Sequence, residues 1–145
     1  MILYGSETIL IRNPRSQEME LEELTGKIIG AAIAVHRELG PGFLESVYEE
    51  ALCVELTGLG LKFQRQAWVP ILYRGKQVGE HRLDLLVDDL VVVELKVINA
   101  FEDIHFATVR SYLKATDRQH GLLMNFATLT LTAKRVSRER FVRVL

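Results

Sequence analysis

One cysteine, Cys53, is all that the 145 residues contain. No intrachain disulfide can form, and a zinc site built from several cysteines is excluded. A reducing cytoplasm is the compartment expected. An excess of charge is also missing: 18 basic against 19 acidic residues leave a formal net charge of -1. That balance makes no global case for or against nucleic acid, and a nucleic-acid surface would have to gather its basic residues on one face. No apolar run approaches the roughly 18 residues that span a bilayer, so no membrane partner is expected. The opening Met1-Ile2-Leu3-Tyr4-Gly5 has no basic n-region and too short an apolar part for a signal peptide. Internal repeats and low-complexity stretches are absent too. What remains is an ordinary globular composition, 48% hydrophobic and 26% charged, at a length that fits one domain with a real core.

Residues 1–17 read as a tail or added edge element, and 18–145 as a single domain. From Leu21 the spacing of Leu24, Ile28, Ala31, Ala32, Val35 and Leu39 predicts an amphipathic helix, stopped by Gly40-Pro41-Gly42. A second helix is expected from Phe43, with Leu44, Val47, Tyr48, Ala51, Leu52 and Glu55 on one face, closing at Gly58 and Gly60. Strands follow at Gln66 to Tyr73, Val78 to Val87 and Leu90 to Ile98, with turns at Arg74-Gly75-Lys76 and Asp88-Asp89. Phe101 to Thr116 reads as a helix, His120 to Phe126 as a strand, and Phe141 to Leu145 as a short last one. The order ααβββαβ, with a possible final strand, makes an α/β (α+β) fold.

Chemistry is concentrated in two of these strands. Val91-Val92-Val93-Glu94-Leu95-Lys96-Val97-Ile98 sets a carboxylate and an ammonium inside a run of six aliphatics, and Leu83-Asp84-Leu85-Leu86-Val87 carries one acid. A strand buried on both faces has no cheap reason to hold ions, since desolvating each costs on the order of several kcal/mol unless partners offset it. The turn decides whether the two acids meet. A two-residue loop pairs Val87 with Leu90 and sends Asp84 and Glu94 to opposite faces. A three-residue loop of Asp88, Asp89 and Leu90 pairs Val87 with Val91 and sets Asp84 opposite Glu94, about 5 Å apart at Cβ. Asp84 and Glu94 would then share one divalent cation, Mg²⁺ or Mn²⁺, with the Leu95 backbone carbonyl as a further oxygen ligand. Lys96, on the face of Glu94, would polarise a water or meet the charge developing on a phosphate. Glu-x-Lys alone means little, because a chain of this length holds one by chance about half the time. Its weight comes from the buried strand and from Asp84.

Asp84 followed by Glu94-x-Lys96 on the next strand resembles the PD-(D/E)xK nuclease superfamily. Gly42-Phe43-Leu44-Glu45-Ser46-Val47-Tyr48, with Val35-His36-Arg37-Glu38-Leu39-Gly40-Pro41-Gly42 and Tyr112-Leu113-Lys114, looks like the small GxxExxY proteins of that superfamily. The resemblance runs from about Met19 to about residue 135. It implies a restriction-endonuclease-like αβββαβ core, here with an extra N-terminal helix, a mixed sheet flanked by helices, and a metal-dependent phosphodiesterase site. By the same resemblance Glu45 joins Asp84, Glu94 and Lys96 as a catalytic residue and joins the metal shell. Two positions depart from the superfamily pattern: Leu83 stands where the name implies proline, and Thr108 where relatives carry a glutamine four residues before Tyr112.

The activity expected is therefore Mg²⁺- or Mn²⁺-dependent hydrolysis of a phosphodiester, with DNA the first substrate to try. The alternative is a catalytically silent nuclease fold that binds nucleic acid or a protein. A homodimer would help so small a domain grip a duplex. Other residues have plainer readings. Tyr48 is read as packing, His36 as a helix C-terminal hydrogen bond, Cys53 as no nucleophile, and His105 as a lesser candidate facing the site. Lys134, Arg135, Arg138, Arg140 and Arg143, with Lys114 and Arg118, form a basic set that would contact phosphates if it lay near the site.

Overall fold

The computed structural model describes residues 2–4, 7–9 and 14–138, with side chains over 15–138. Strands β1 (Ile2–Tyr4) and β2 (Glu7–Ile9) pair antiparallel with each other and stay outside the main sheet. Helix α1 spans Pro14–Leu39 and begins two turns before its apolar stripe does. Pro14 suits a first helical position, where the missing N–H costs nothing. Residues 15–20 are all exposed, so hydrophobic periodicity could not announce them. Residues 14–17 thus belong to α1. Leu24, Ile28, Ala31, Ala32 and Val35 are buried as the spacing predicts. The helix stops at Gly40, whose φ of +67° needs no Cβ and whose N–H donates to the His36 carbonyl at 2.8 Å.

Helix α2 (Glu45–Gly58) departs from the expected face. Tyr48, Glu49, Leu52, Cys53 and Leu56 are buried, while Leu44 and Val47 are exposed. Apolar residues occur on more than one side of this helix, and only packing selects the side. Strands β3 (Phe63–Tyr73), β4 (Lys76–Val87), β5 (Val91–Lys96), β6 (His120–Asn125) and β7 (Thr132–Ser137) form one sheet in that spatial order. All neighbours are antiparallel except β5 and β6, which run parallel through the crossover helix α3 (Asp103–Thr116). Helices α1 and α2 cover one face, packing with Leu85, Val87, Val91, Val93 and Leu95. Helix α3 covers the other, packing with Leu83, Leu86, Val92 and Leu123. This is the mixed, helix-flanked sheet of a restriction-endonuclease-like fold.

Strand β7 carries no alternation of apolar and polar residues, because only Val136 of its six residues is buried and Lys134 and Arg135 face solvent. Charges on an outer strand are how sheets avoid pairing with other chains. The strand expected at Phe141 to Leu145 lies outside the described residues. Gly121 lets α3 approach the sheet: a Cβ there would lie 2.8 Å from Val109 Cγ1. No helix of the described residues is long and apolar enough to cross a membrane.

Candidate active site

The β4–β5 turn takes the longer form. Asp88 and Asp89 both adopt left-handed backbone, φ 52° and 56°, and the Leu90 N–H donates to the Val87 carbonyl at 3.0 Å. Asp and Asn are among the few non-glycine residues that tolerate that region. Val87 pairs with Val91, Leu86 with Val92 and Leu85 with Val93. The next step in that register sets Asp84 opposite Glu94, on the three-residue loop that the metal reading requires.

At that step the ladder gives way. Asp84 Oδ2 accepts the Leu95 N–H at 2.9 Å, so a side chain takes a backbone group that the β4–β5 ladder would otherwise use. Regular alternation would put Leu83 on the same face as Leu85. Leu83 instead packs with the α3 cluster and Leu85 with the α1/α2 cluster. Across the sheet, Gln66 stands between the pairs Arg65↔Leu85 and Ala67↔Leu83, and its φ is +49°. Phe63 packs toward α1 and α2, whereas Ala67 and Val69 pack toward α3. Both strands therefore exchange faces along one line through Gln66 and Asp84. A left-handed glutamine is an uncommon conformation, and such strain gathers at sites the surroundings hold in place.

Asp84 and Glu94 are buried, at 9% and 5% exposure. Lys96 Nζ lies 3.6 Å from Glu94 Oε1 and keeps a quarter of its side chain open to solvent. Glu94 Oε2 is buried and has no hydrogen-bond partner. Burial, then the neighbouring Asp84 charge, pushes the Glu94 carboxyl up to about 8 from 4.5, with Lys96 opposing. Burial also raises Asp84, against the Leu95 N–H and Lys96, which favour its charged form. Two acids and one ammonium leave the pair short of positive charge.

Helix α2 brings Glu45 to the mouth of this cluster in its first turn. Burial raises its carboxyl, Asp84 adds to the rise, and Lys96 lowers it. The loop before it is fixed by Tyr48, whose hydroxyl donates to the Gly40 carbonyl at 2.6 Å and accepts the Phe43 N–H at 3.2 Å. Tyr48 stacks on Phe126 at 4.7 Å between ring centroids, and Gly42 turns at φ +114°. The Gly42 to Tyr48 motif is thus one device: a glycine turn, an acid at the helix start, and a tyrosine that pins the turn.

Sequence reasoning missed three neighbours. Glu49, one turn after Glu45, is buried, paired with Arg65 Nη2 at 3.0 Å and hydrogen-bonded by Gln66 Nε2 at 2.5 Å, and its charge raises Asp84. The i, i+4 spacing from Glu45 was the available signal. Gln66 gave none. Tyr112 on α3 is pushed to about 12 by burial and then by Glu94 and Asp84, which places its hydroxyl in the field of both carboxylates. His81 packs on the Tyr112 ring at 4.5 Å and shares a 3.2 Å hydrogen bond with Ser111 Oγ.

Several candidates fall elsewhere. His36 Nε2 lies 2.8 Å from the Thr128 carbonyl, a tie between α1 and the loop after β6. His105 Nδ1 accepts the Glu102 N–H at 2.8 Å in a capping box that starts α3. Thr108 Oγ1 donates to the Ile104 carbonyl of its own helix. Cys53 is buried and its thiol is raised, by burial first. Two members of the basic set are engaged away from the site. Arg118 pairs with Asp89 at 2.7 Å and Arg138 with Asp117 at 2.5 Å, both around the end of the sheet where β5 begins. Arg140 and Arg143 lie outside the described residues. Among the described residues no three His, Cys, Asp or Glu side chains converge as a ready-made metal cluster.

A family model described as the PD-(D/E)XK nuclease superfamily matches residues 22–138. No curated protein matches the chain. A solved structure described as "Crystal structure of SSO0001" superposes with a TM-score of 0.52 at 15% identity, covering 66% of this chain and 50% of that one. The chain thus spans half the length of that protein, and at so low an identity the likeness concerns the fold.

Proposed function

This chain belongs to the PD-(D/E)XK nuclease superfamily, whose chemistry is nuclease-type phosphodiester hydrolysis, and on that premise we propose that it is a divalent-metal-dependent nuclease acting on DNA. Within the superfamily we place it, by Gly42, Glu45 and Tyr48, with the GxxExxY proteins. The observation that carries the reading is Glu94 Oε2: a buried carboxylate oxygen without a partner, beside a second buried acid. Buried polar atoms are nearly always satisfied, so an acid oxygen beside a second buried acid fits a shared proton, or a cation that takes the proton's place.

Asp84 and Glu94 would hold Mg²⁺ or Mn²⁺, with the Leu95 carbonyl alongside and Glu45 at the mouth. Bound there, such an ion supplies a more acidic water and charge for the phosphate oxygens. The Leu95 N–H fixes the rotamer of Asp84, so its other oxygen is aimed before substrate arrives. Lys96 reaches from the buried pair toward solvent, where its ammonium meets the negative charge that grows as phosphorus is attacked. Glu45, exposed at the start of α2 and with raised proton affinity beside Asp84, is suited to hold the proton that a water gives up.

A silent binding module is the second reading, favoured by the lack of a three-acid cluster among the described residues. Cleavage of labelled single- and double-stranded DNA and RNA with Mg²⁺ or Mn²⁺ separates the two. Cutting by the wild type that disappears in Asp84→Ala and Lys96→Ala, by at least about 100-fold, supports the nuclease. Binding without cutting on any substrate overturns it in favour of the module.

A further inference from the structure

The β3–β4 hairpin runs on past the site as a two-stranded ribbon with an exposed apolar surface. Trp68, Leu72, Tyr73 and Val78 are 63%, 63%, 61% and 64% exposed, an unusual density of large apolar side chains on one short ribbon. Alternation along β3 gives Trp68 and Leu72 one face of the ribbon and Tyr73 the other, so apolar side chains stand open on both sides. Both aromatic rings carry an arginine: Arg82 lies over Trp68 at 5.1 Å and Arg74 over Tyr73 at 5.4 Å. From Ala67 to Leu83 the charged side chains are Arg74, Lys76 and Arg82 against Glu80 alone, a basic surplus in a chain of net charge -1.

Position ties this ribbon to the site. Trp68 pairs directly with Arg82, two residues before Asp84 and roughly 7 Å along the strand. The exchange of faces at Gln66 and Asp84 is what turns Trp68 and Arg82 away from α3 and leaves them open next to the carboxylates.

We propose that the outer half of the β3–β4 hairpin is a stacking platform for single-stranded nucleic acid, with Trp68 taking an unstacked base and Arg82 holding an adjoining phosphate. The proposal rests on the nuclease reading and adds the substrate class to it. Aromatic faces with interleaved arginines suit bases that have left a duplex, because a paired and stacked base has no free face to offer. A purely apolar partner surface would not call for an arginine over each ring and a basic surplus along the ribbon, whereas a phosphodiester chain entering the Asp84–Glu94 site does.

Trp68 is the only tryptophan, so its emission reports on this platform alone. The experiment titrates the full chain, in EDTA to prevent cutting, with fluorescein-labelled oligodeoxythymidylate and with a labelled duplex of equal length. Anisotropy reads binding and tryptophan emission reads contact. Expected are tighter binding of the single strand, quenching that tracks the anisotropy, a loss of about ten-fold or more in Trp68→Ala, and near-wild-type affinity in Trp68→Phe. Binding with unchanged emission, or equal affinity in Trp68→Ala, overturns the platform and leaves the nuclease reading standing. A preference for the duplex overturns the single-strand assignment. Failure to bind either oligonucleotide, together with no cleavage of any substrate, overturns the nuclease reading itself. An emission shift that depends on protein concentration alone, with a dimer in sedimentation, would give the surface to a second copy and also overturn the proposal.

Discussion

Replacing Glu94 by glutamine should stabilise this protein when metal is withheld and the pH is high. In the folded state Glu94 holds its proton up to about 8, against 4.5 for the free group. Between those values the folded protein binds more protons than the unfolded chain, so stability falls as the pH rises through that window. Below about pH 4.5 the contribution is fully present, and above about pH 8 it is gone. At about 1.4 kcal/mol per tenfold in proton affinity, the gap sets a ceiling of roughly 5 kcal/mol. That value already contains the opposing effect of Lys96; relaxation and water entry around a pair whose lysine is partly solvated lower the cost further, and roughly 2–4 kcal/mol is the working expectation. The amide of Glu94→Gln mimics the protonated acid at every pH. Urea unfolding in EDTA, followed by circular dichroism at about pH 5 and about pH 9, reads the difference. Wild type should lose stability between the two and Glu94→Gln should lose much less, with Asp84, also raised, leaving a residual slope. Excess Mg²⁺ should then restore the wild type at high pH, by about 2.7 kcal/mol at a hundred times the dissociation constant, and leave the variant unmoved. Equal wild-type stability at both pH values, or a variant weaker than wild type at about pH 9, would refute the account of an under-neutralised buried pair.

Two further substitutions probe the frame around the site. Tyr48→Phe keeps the ring against Phe126 but deletes the hydroxyl that joins Gly40 and Phe43; a loss of roughly 1–3 kcal/mol in urea unfolding is expected, with cleavage falling more than the fold does because Glu45 sits just beyond that loop. Gly121→Ala places a methyl 2.8 Å from Val109 Cγ1 and 3.3 Å from the Val92 carbonyl, both in the packed layer under α3. A lower melting temperature, equivalent to roughly 1–3 kcal/mol, is expected with cleavage intact well below the melt.

Much of the site was legible in the chain because its signal is local. Charges inside aliphatic strands are rare for a physical reason, desolvation, so Asp84, Glu94 and Lys96 stood out without any fold in hand. The consequence of the Asp88-Asp89-Leu90 loop was also legible: a shift of one residue moves every side chain to the other face, so only that loop joins the two acids. Glycine and proline marked the end of α1, and the apolar stripe marked its middle. Where the stripe was missing, as in the first two turns of α1 and in β7, hydrophobic pattern said nothing, because those segments bury almost no apolar surface.

The sequence by itself determined the order of elements from α1 to β6 and the two acids and the ammonium set inside apolar strands. Those follow from residue chemistry and from periods of two and 3.6, which each segment carries within itself. Only the tertiary structure decided which side of α2 is buried, that Glu49 is locked by Arg65 and Gln66, that Tyr112 lies in the field of the carboxylates, and that Arg118 and Arg138 are engaged by acids at the far end of the sheet. It also decided the exchange of faces at Gln66 and Asp84, which leaves Trp68 and Arg82 in the open. Each of these is set by contacts between segments distant in the chain, and a side chain's neighbours across a sheet are written in no single segment's pattern.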